Sequence, residues 1–208
     1  MNIDGSSQQQ LTYTTRSDTY PIFSPDGQSI FYVYYSSEDG KSDIWKMDVG
    51  GTNKINITDR DYYYHYIRFS PDGSKIVFNY WRDSAYQVAT VNNDGTYFAV
   101  LTSSESQANW RPSYSPDGSK IVFYSYRDTD YEIYIMDSDG SNQTNLTNIV
   151  GPDSFPNFAP DGLTIVFKSE RDGDSEIYIM DVDGSNQTNL SNNSGSNDYW
   201  PVFQPVRR

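Results

Sequence analysis

The chain has 208 residues, and its 15 basic against 28 acidic side chains give a formal net charge of −13. A field of that sign repels phosphate backbones and anionic membrane surfaces, so we expect no nucleic-acid partner. Cysteine is absent and histidine occurs once, which excludes disulfides, thiolate metal sites and mechanisms that need several histidines. No apolar run approaches the roughly 20 residues of a membrane span, so we expect no membrane insertion, and no secretory signal opens this chain.

A Ser-Pro-Asp-Gly turn recurs along the chain. Copies stand at residues 24–27, 70–73 and 115–118, with Ala-Pro-Asp-Gly at 159–162 and Pro205 marking a fifth. Proline presets such a turn, aspartate caps it and glycine takes the unusual dihedral angles, so we interpret the motif as structural. The five prolines are spaced 46, 45, 44 and 45 residues apart. A period of that length, carried by strands and turns, is typical of one β-propeller blade.

Each repeat has four strand-like segments in the same order. A short apolar stretch leads into the Pro-Asp-Gly turn. The second segment is apolar on both faces, as a strand buried between stacked blades requires, at 30–35, 76–80, 121–126 and 165–169. A third apolar strand (133–136 in the third repeat) is followed by an Asp-Gly turn and a polar fourth strand at 142–146. Because no helical period is sustained, we predict an all-β chain of short antiparallel strands.

The segment 114–140, which runs Tyr-Ser-Pro-Asp-Gly-Ser-Lys-Ile-Val-Phe and ends Ile-Met-Asp-Ser-Asp-Gly, resembles the TolB-type β-propeller repeat. Residues 158–184 match the same pattern, and the resemblance extends over essentially the whole chain. It implies a propeller fold and a periplasmic or extracellular location. It leaves function open, because such propellers serve in TolB, as gating domains of peptidases and in certain lyases.

The ends of the chain determine how the ring would close. Residues 1–11 align with 180–190, so the chain starts late in a repeat and finishes in the first strand of another. We predict one domain, 1–208, with four complete four-stranded blades (about 20–65, 66–110, 111–154 and 155–199) and a fifth split between 1–13 and 200–208. Strands missing from that blade leave an edge open to self-association. The alternatives are a thin fifth blade and a piece, or an engineered subset, of a longer propeller.

One residue per repeat, five positions before each turn proline, is expected in the loop that enters the innermost strand. These residues would ring the mouth of the central channel: Tyr20, Tyr66, Arg111, Phe155 and Trp200. Two positions earlier stand Asp18, Tyr64, Asn109, Asp153 and Asp198. Aromatic rings beside polar groups can stack a sugar or peptide and hydrogen-bond its polar edge. Trp110 and Trp81 extend the same surface, and the alternative interpretation is packing between blades.

We find no catalytic set. There is no cysteine and no Gly-x-Ser-x-Gly nucleophile motif, and His65 has no acid partner in sequence. The doublets at 82–83, 127–128 and 171–172, with the Asp-x-Asp-Gly turns, resemble pieces of a calcium loop but lack its further oxygen ligands. We therefore expect no enzyme and no cofactor, with weak calcium binding as the alternative.

The sequence favours a non-catalytic scaffold that binds a protein or peptide partner. The first alternative is a lectin-like or small-ligand module that uses the same aromatic residues, with a cation held by Asp18, Asp153 and Asp198. The second alternative is a fragment of a larger propeller without activity of its own.

Overall fold

The computed structural model describes residues 4–15, 17–36, 40–59, 62–102, 107–127, 129–193 and 195–203. Within these residues the chain forms sixteen strands and no helix. Accordingly, the described part contains no helix able to cross a membrane.

The strands form four antiparallel sheets of four, each a propeller blade in which strands pair in chain order. Blade 1 consists of β1 (Asp18–Phe23), β2 (Ser29–Tyr35), β3 (Ser42–Asp48) and β4 (Ile55–Asn56). Blade 2 consists of β5 (Tyr63–Phe69), β6 (Lys75–Arg82), β7 (Ala85–Asn92) and β8 (Ala99–Val100). Blade 3 consists of β9 (Ala108–Tyr114), β10 (Lys120–Tyr126), β11 (Tyr131–Asp137) and β12 (Thr144–Asn145). Blade 4 consists of β13 (Asp153–Phe158), β14 (Thr164–Ser169), β15 (Glu176–Asp181) and β16 (Thr188–Asn189). The predicted all-β class and four complete repeats are confirmed.

The Ser-Pro-Asp-Gly motif makes the turn between the first and second strand of a blade. In blade 3, the Ser115 hydroxyl donates to Asp117 Oδ1 at 2.6 Å and accepts from the Lys120 backbone N–H at 2.9 Å. The side-chain hydrogen bond from Ser115, the Ser119 N–H and the Ser119 hydroxyl lower the pKa of Asp117 to about 2. Gly118 takes a φ of 74°, which glycine adopts without a steric penalty.

The second strand of a blade is apolar on both faces because each face packs against a neighbouring blade. In β10, Ile121 and Phe123 pack toward blade 2, while Val122 packs toward blade 4. In β6, Val77 likewise packs toward blade 3, on the face opposite Ile76. Burying side chains of this size stabilises a fold by about 1.5–3 kcal/mol each. The hydrophobic core therefore lies in the joints between blades, where it holds the second strand of each blade against the neighbouring blades.

The four blades form an arc. Blades 1 and 2, 2 and 3, and 3 and 4 are in contact, whereas no contact joins the described strands of blade 1 to those of blade 4. Among the described residues at the two ends, 4–13 and 195–203, no strand forms.

The two parts of the predicted fifth blade lie against opposite ends of this arc. Leu11 packs on the outer face of blade 1, and its backbone carbonyl accepts from Lys54 Nζ at 2.9 Å. At the other end, the Pro201 carbonyl accepts from Asn157 Nδ2 at 2.9 Å. Where residues 1–13 and 200–208 are described, they do not pair, so the predicted closure is not seen there. Residues 1–3 and 204–208, with Pro205, lie outside the described residues.

Candidate functional site

Each innermost strand contains a β-bulge centred on a residue with positive φ. In blade 2, His65 pairs with Asn79 and Arg68 with Val77, so that Tyr66 and Ile67 together oppose Phe78. The five residues singled out in the sequence all have positive φ, four of them at these bulges and Trp200 at the chain end: Tyr20 (52°), Tyr66 (52°), Arg111 (49°), Phe155 (58°) and Trp200 (55°). A left-handed backbone at a non-glycine residue costs about 1–2 kcal/mol. The predicted loop position is therefore wrong for the first four residues, which lie inside the innermost strands.

These five side chains form a continuous row across the inner strands, which we call the channel row. The Tyr20 and Tyr66 ring centroids are 4.7 Å apart. The Arg111 guanidinium lies between two rings, 4.2 Å from the Tyr66 centroid and 4.3 Å from that of Phe155. Phe155 meets Trp200 edge to face at 6.5 Å. The repeat thus aligns one side chain from each blade and from the chain end into a single surface.

Arg111 and burial change the pKa values of the two tyrosines in the channel row. Burial acts to raise the pKa of Tyr66, but hydrogen bonds from Arg111 and Tyr20, with the charge of Arg111, bring it below its ordinary value. Burial and the hydrogen bond to Tyr66 raise the pKa of Tyr20. The Tyr66 hydroxyl thus interacts with both Tyr20 and Arg111.

A second group of rings surrounds His65, and we call it the aromatic mouth. The Tyr35 hydroxyl lies 3.4 Å from His65 Nδ1, and the Tyr86 hydroxyl lies 3.4 Å from Nε2. Trp110 lies against Tyr86 in a tilted arrangement with centroids 3.7 Å apart, and Trp81 meets Tyr86 edge to face at 4.9 Å. Burial lowers the pKa of His65, so the imidazole is neutral at pH 7. These hydrogen-bond partners are hydroxyls, an arrangement that suits packing or binding better than proton transfer.

The residues two positions before the bulges are placed differently from the prediction. Tyr64, Asn109 and Asp153 have no exposed surface. Since the bulge shifts the register, Tyr64 opposes Tyr80 whereas Arg68 opposes Val77, and the two sides of the bulge face opposite ways. Tyr64 packs on Phe78 in the blade joint, with centroids 5.3 Å apart. These three side chains build the blade interior and are withdrawn from the candidate binding surface.

The three-aspartate cation site is not assembled. Asp153 Oδ2 is paired with Arg171 Nη2 at 3.0 Å, and burial raises its pKa. Asp18 Oδ2 accepts from the Thr14 hydroxyl at 2.9 Å, while the Asp198 backbone N–H bonds to the Ser175 carbonyl at 2.7 Å. In the described ranges, no three histidine or acidic side chains are grouped so as to hold a metal ion.

The sequence analysis missed the residues two positions after each bulge. In chain order they are Ile22, Arg68, Ser113, Asn157 and Val202. Arg68, Ser113 and Asn157 line two adjoining cavities in the channel, of about 20 and about 300 Å³. Taking the residue two positions after each of the five aligned residues, instead of two positions before it, would have found them.

A family model described as the TolB beta propeller domain matches residues 1–110 and 104–206. The chain belongs to the TolB β-propeller family. An uncharacterised protein of Agrobacterium fabrum is 32% identical over 126 residues, covering 54% of this chain and 42% of the relative. The Tol-Pal system protein TolB of Rhizorhabdus wittichii is 39% identical over 54 residues, covering 26% and 12%.

Solved structures give the same assignment. A candidate TolB from Agrobacterium tumefaciens superposes with a TM-score of 0.70 at 30% identity, covering 80% of this chain and 62% of that one. This TolB-type chain thus spans less than two thirds of the length of these relatives. A puromycin hydrolase (14% identity, TM-score 0.73, 84% and 30% covered) and an oligogalacturonate lyase in complex with manganese (20%, 0.69, 87% and 55%) share the fold alone.

Proposed function

We propose that this TolB-type propeller is a non-catalytic binding scaffold whose channel row and aromatic mouth hold a segment of a protein or peptide partner. The observation that carries the proposal is the channel row itself. Five residues with strained backbone are aligned, four on the innermost strands and Trp200 at the chain end, and three of those strands border a cavity of about 300 Å³. Backbone strain of this kind clusters at ligand-binding positions. A cavity of that volume is at the lower end of the range for ligand pockets.

The composition of the surface supports a peptide rather than a purely apolar ligand. Tyrosine, tryptophan and arginine dominate the energetic centres of protein interfaces, and all three residue types occur in the channel row. Trp200 is 65% exposed, so it can be covered by a partner. One relative is named as a protein of the Tol-Pal system, which favours a partner that is itself a protein.

We propose the absence of catalysis and a periplasmic or extracellular location on the same family basis. The matches with at least 30% identity include TolB-type proteins, whereas the puromycin hydrolase and the lyase lie below 25% identity. In the described part of the site, the neighbours of His65 are hydroxyls and rings.

We further propose self-association through the ends of the arc as a second property. Val202 is 79% exposed and Leu190 55% exposed at the blade 4 end, and Phe23 is 65% exposed in β1. These apolar side chains are exposed at the two open ends of the arc, where a further blade or a second molecule could cover them. The lectin-like alternative keeps the aromatic residues of the channel row, but among the described residues its three aspartates are not grouped to hold a cation.

Selection from a random linear peptide library on immobilised protein tests the scaffold proposal. We expect enriched peptides whose binding falls at least tenfold with Trp200→Ala and with Tyr66→Ala. The matched control is Tyr97→Ala, since Tyr97 is an exposed tyrosine in the hairpin between β7 and β8, and it should bind as the wild type does. Failure to enrich any peptide, or full binding by both channel variants, contradicts the proposal. Light scattering over a dilution series, run first, separates self-association from a monomer of 23.8 kDa.

A further inference from the structure

Two arginines face the channel in a protein with a surplus of acid. The cavity of about 20 Å³ is lined by residues of blades 2, 3 and 4, among them Arg68 and Arg111. The remaining lining residues are neutral: Tyr66, Pro112, Ser113, Phe155, Pro156 and Asn157. With a net charge of −13 over the chain, a wall that contains two guanidinium groups and no carboxylate is a local reversal of sign.

Neither guanidinium is neutralised by a described neighbour. The ion pairs recorded among the described residues involve Arg82, Lys120, Lys168 and Arg171. Arg68 Nη1 donates to the Ile67 carbonyl at 3.0 Å, and Arg111 Nε is buried without an acceptor. Partial burial in the channel and the charge of Arg111 lower the pKa of Arg68. An anion between the two groups would relieve both the repulsion and the unmet donors.

A structural arginine in this fold has a different environment. Arg171 donates to Asp153, Ser169 and Gln187 at 2.7–3.0 Å, so that each nitrogen of its guanidinium has an acceptor inside blade 4. Both arginines lie against aromatic rings, Arg171 over Tyr178 and Arg111 between Tyr66 and Phe155, but in Arg111 the buried Nε has no partner. This arrangement orients a donor group in advance of a ligand.

We propose that Arg68 and Arg111 form a carboxylate-binding site in the channel, which takes an acidic side chain or the C-terminal carboxylate of a bound peptide. The proposal rests on the scaffold function above and names the ligand class of the same channel. The small cavity offers little more than the space of one water, so it admits the tip of a planar carboxylate. The adjoining cavity of about 300 Å³, which shares Arg68, Ser113 and Asn157 with it, holds the rest of the peptide. Guanidinium groups match carboxylates geometrically and bind them with charge-assisted hydrogen bonds.

Four tripeptide probes test the site by calorimetric titration. They are acetyl-Gly-Trp-Glu-amide, acetyl-Gly-Trp-Gln-amide, acetyl-Gly-Trp-Gly with a free carboxylate, and the same peptide as an amide. We expect at least one carboxylate probe to bind tenfold or more tightly than its neutral partner. Tighter binding of the Glu peptide than of the Gln peptide means that the site takes an acidic side chain. Tighter binding of the peptide with a free C-terminal carboxylate than of its amide means that the site takes a C-terminus.

Arginine variants distinguish specific binding at this site from a general attraction of the carboxylate to any positive charge on the protein. Arg68→Gln and Arg111→Gln should each abolish the preference, whereas Arg82→Gln, which alters an exposed arginine at the end of β6, should preserve it. Arg68 is exposed to the channel, so its replacement tests the site even where Arg111→Gln perturbs the row. Equal binding of carboxylate and amide probes overturns the carboxylate site. The scaffold proposal is judged separately, by the Trp200→Ala and Tyr66→Ala results with library peptides.

Discussion

Arg127 and Arg171 stand at equivalent positions of blades 3 and 4 and have equivalent surroundings. Arg127 Nη2 donates to Gln143 Oε1 at 2.6 Å, and its guanidinium lies 4.2 Å from the Tyr134 ring centroid. Gln143 in turn donates to the Leu101 carbonyl of the preceding blade at 3.0 Å. The doublets at 127–128 and 171–172 therefore supply arginines that tie blades together, which favours the structural interpretation of this motif; Asp128 lies outside the described residues.

Glu132 gives a prediction about pH. It is 5% exposed in β11, and burial raises its pKa to about 7, although a hydrogen bond from Thr147 acts in the opposite direction. The unfolded chain ionises it near its ordinary value, so the folded state binds the extra proton between about pH 4.5 and 7. The neutral form of Glu132 is tolerated without penalty below that window, folding is destabilised progressively as pH rises across it, and the loss is complete above about pH 7.

The natural control for Glu132 is Gln87, which occupies the same position in blade 2 and accepts from Thr102 at 2.8 Å. We expect the free energy of unfolding of Glu132→Gln to exceed that of the wild type by less than about 1 kcal/mol at pH 5 and by up to about 3 kcal/mol at pH 8. Urea unfolding followed by tryptophan fluorescence at pH 5, 6, 7 and 8 measures the difference. A difference that is constant with pH contradicts the assignment.

Among the secondary-structure elements, the bulge in the innermost strand is the feature that the sequence could not predict. Alignment of the repeats identified Tyr20, Tyr66, Arg111, Phe155 and Trp200 as equivalent, because their spacing from the turn is fixed. Their positive φ could not be predicted, since tyrosine, arginine, phenylalanine and tryptophan have no preference for it. Without knowledge of the bulge, the sequence analysis placed Tyr64 and Asp153 at the channel mouth with Tyr66 and Phe155, whereas the structure buries them.

A glycine that packs closely against the preceding blade gives a prediction about stability. A Cβ on Gly184, at φ 87°, would stand 2.8 Å from the Leu146 carbonyl oxygen of the preceding blade. We expect Gly184→Ala to lower the free energy of unfolding by about 2–3 kcal/mol, because a steric clash adds to the cost of left-handed backbone. Thermal and urea unfolding measure the loss.

The control is Gly27, at φ 69°, where a Cβ would have no heavy atom within 4 Å beyond its chain neighbours. Gly27→Ala carries only the backbone cost, about 1 kcal/mol. Equal losses at the two positions would mean that the blade joint yields freely, contrary to the close packing described.

For the whole molecule, the repeat predicted the four blades and left the ends undetermined. Blade formation depends on turns and strands within about 45 residues, which the sequence displays directly. Whether residues 4–13 meet 195–203 depends on contacts across the ring, for which no local pattern exists. The surplus of negative charge is also a property of the whole, and the channel arginines oppose it only because the fold brings blades 2 and 3 together.

The central claim is that a partner segment binds along the inner strands. Hydrogen–deuterium exchange with and without a library-selected peptide tests it most directly, because the unpaired edge of each inner strand faces the channel. We predict slower exchange in β5, β9 and β13, with little change in the outer strands β8 and β12. Protection confined to the outer strands, or to the ends of the arc, would contradict the claim.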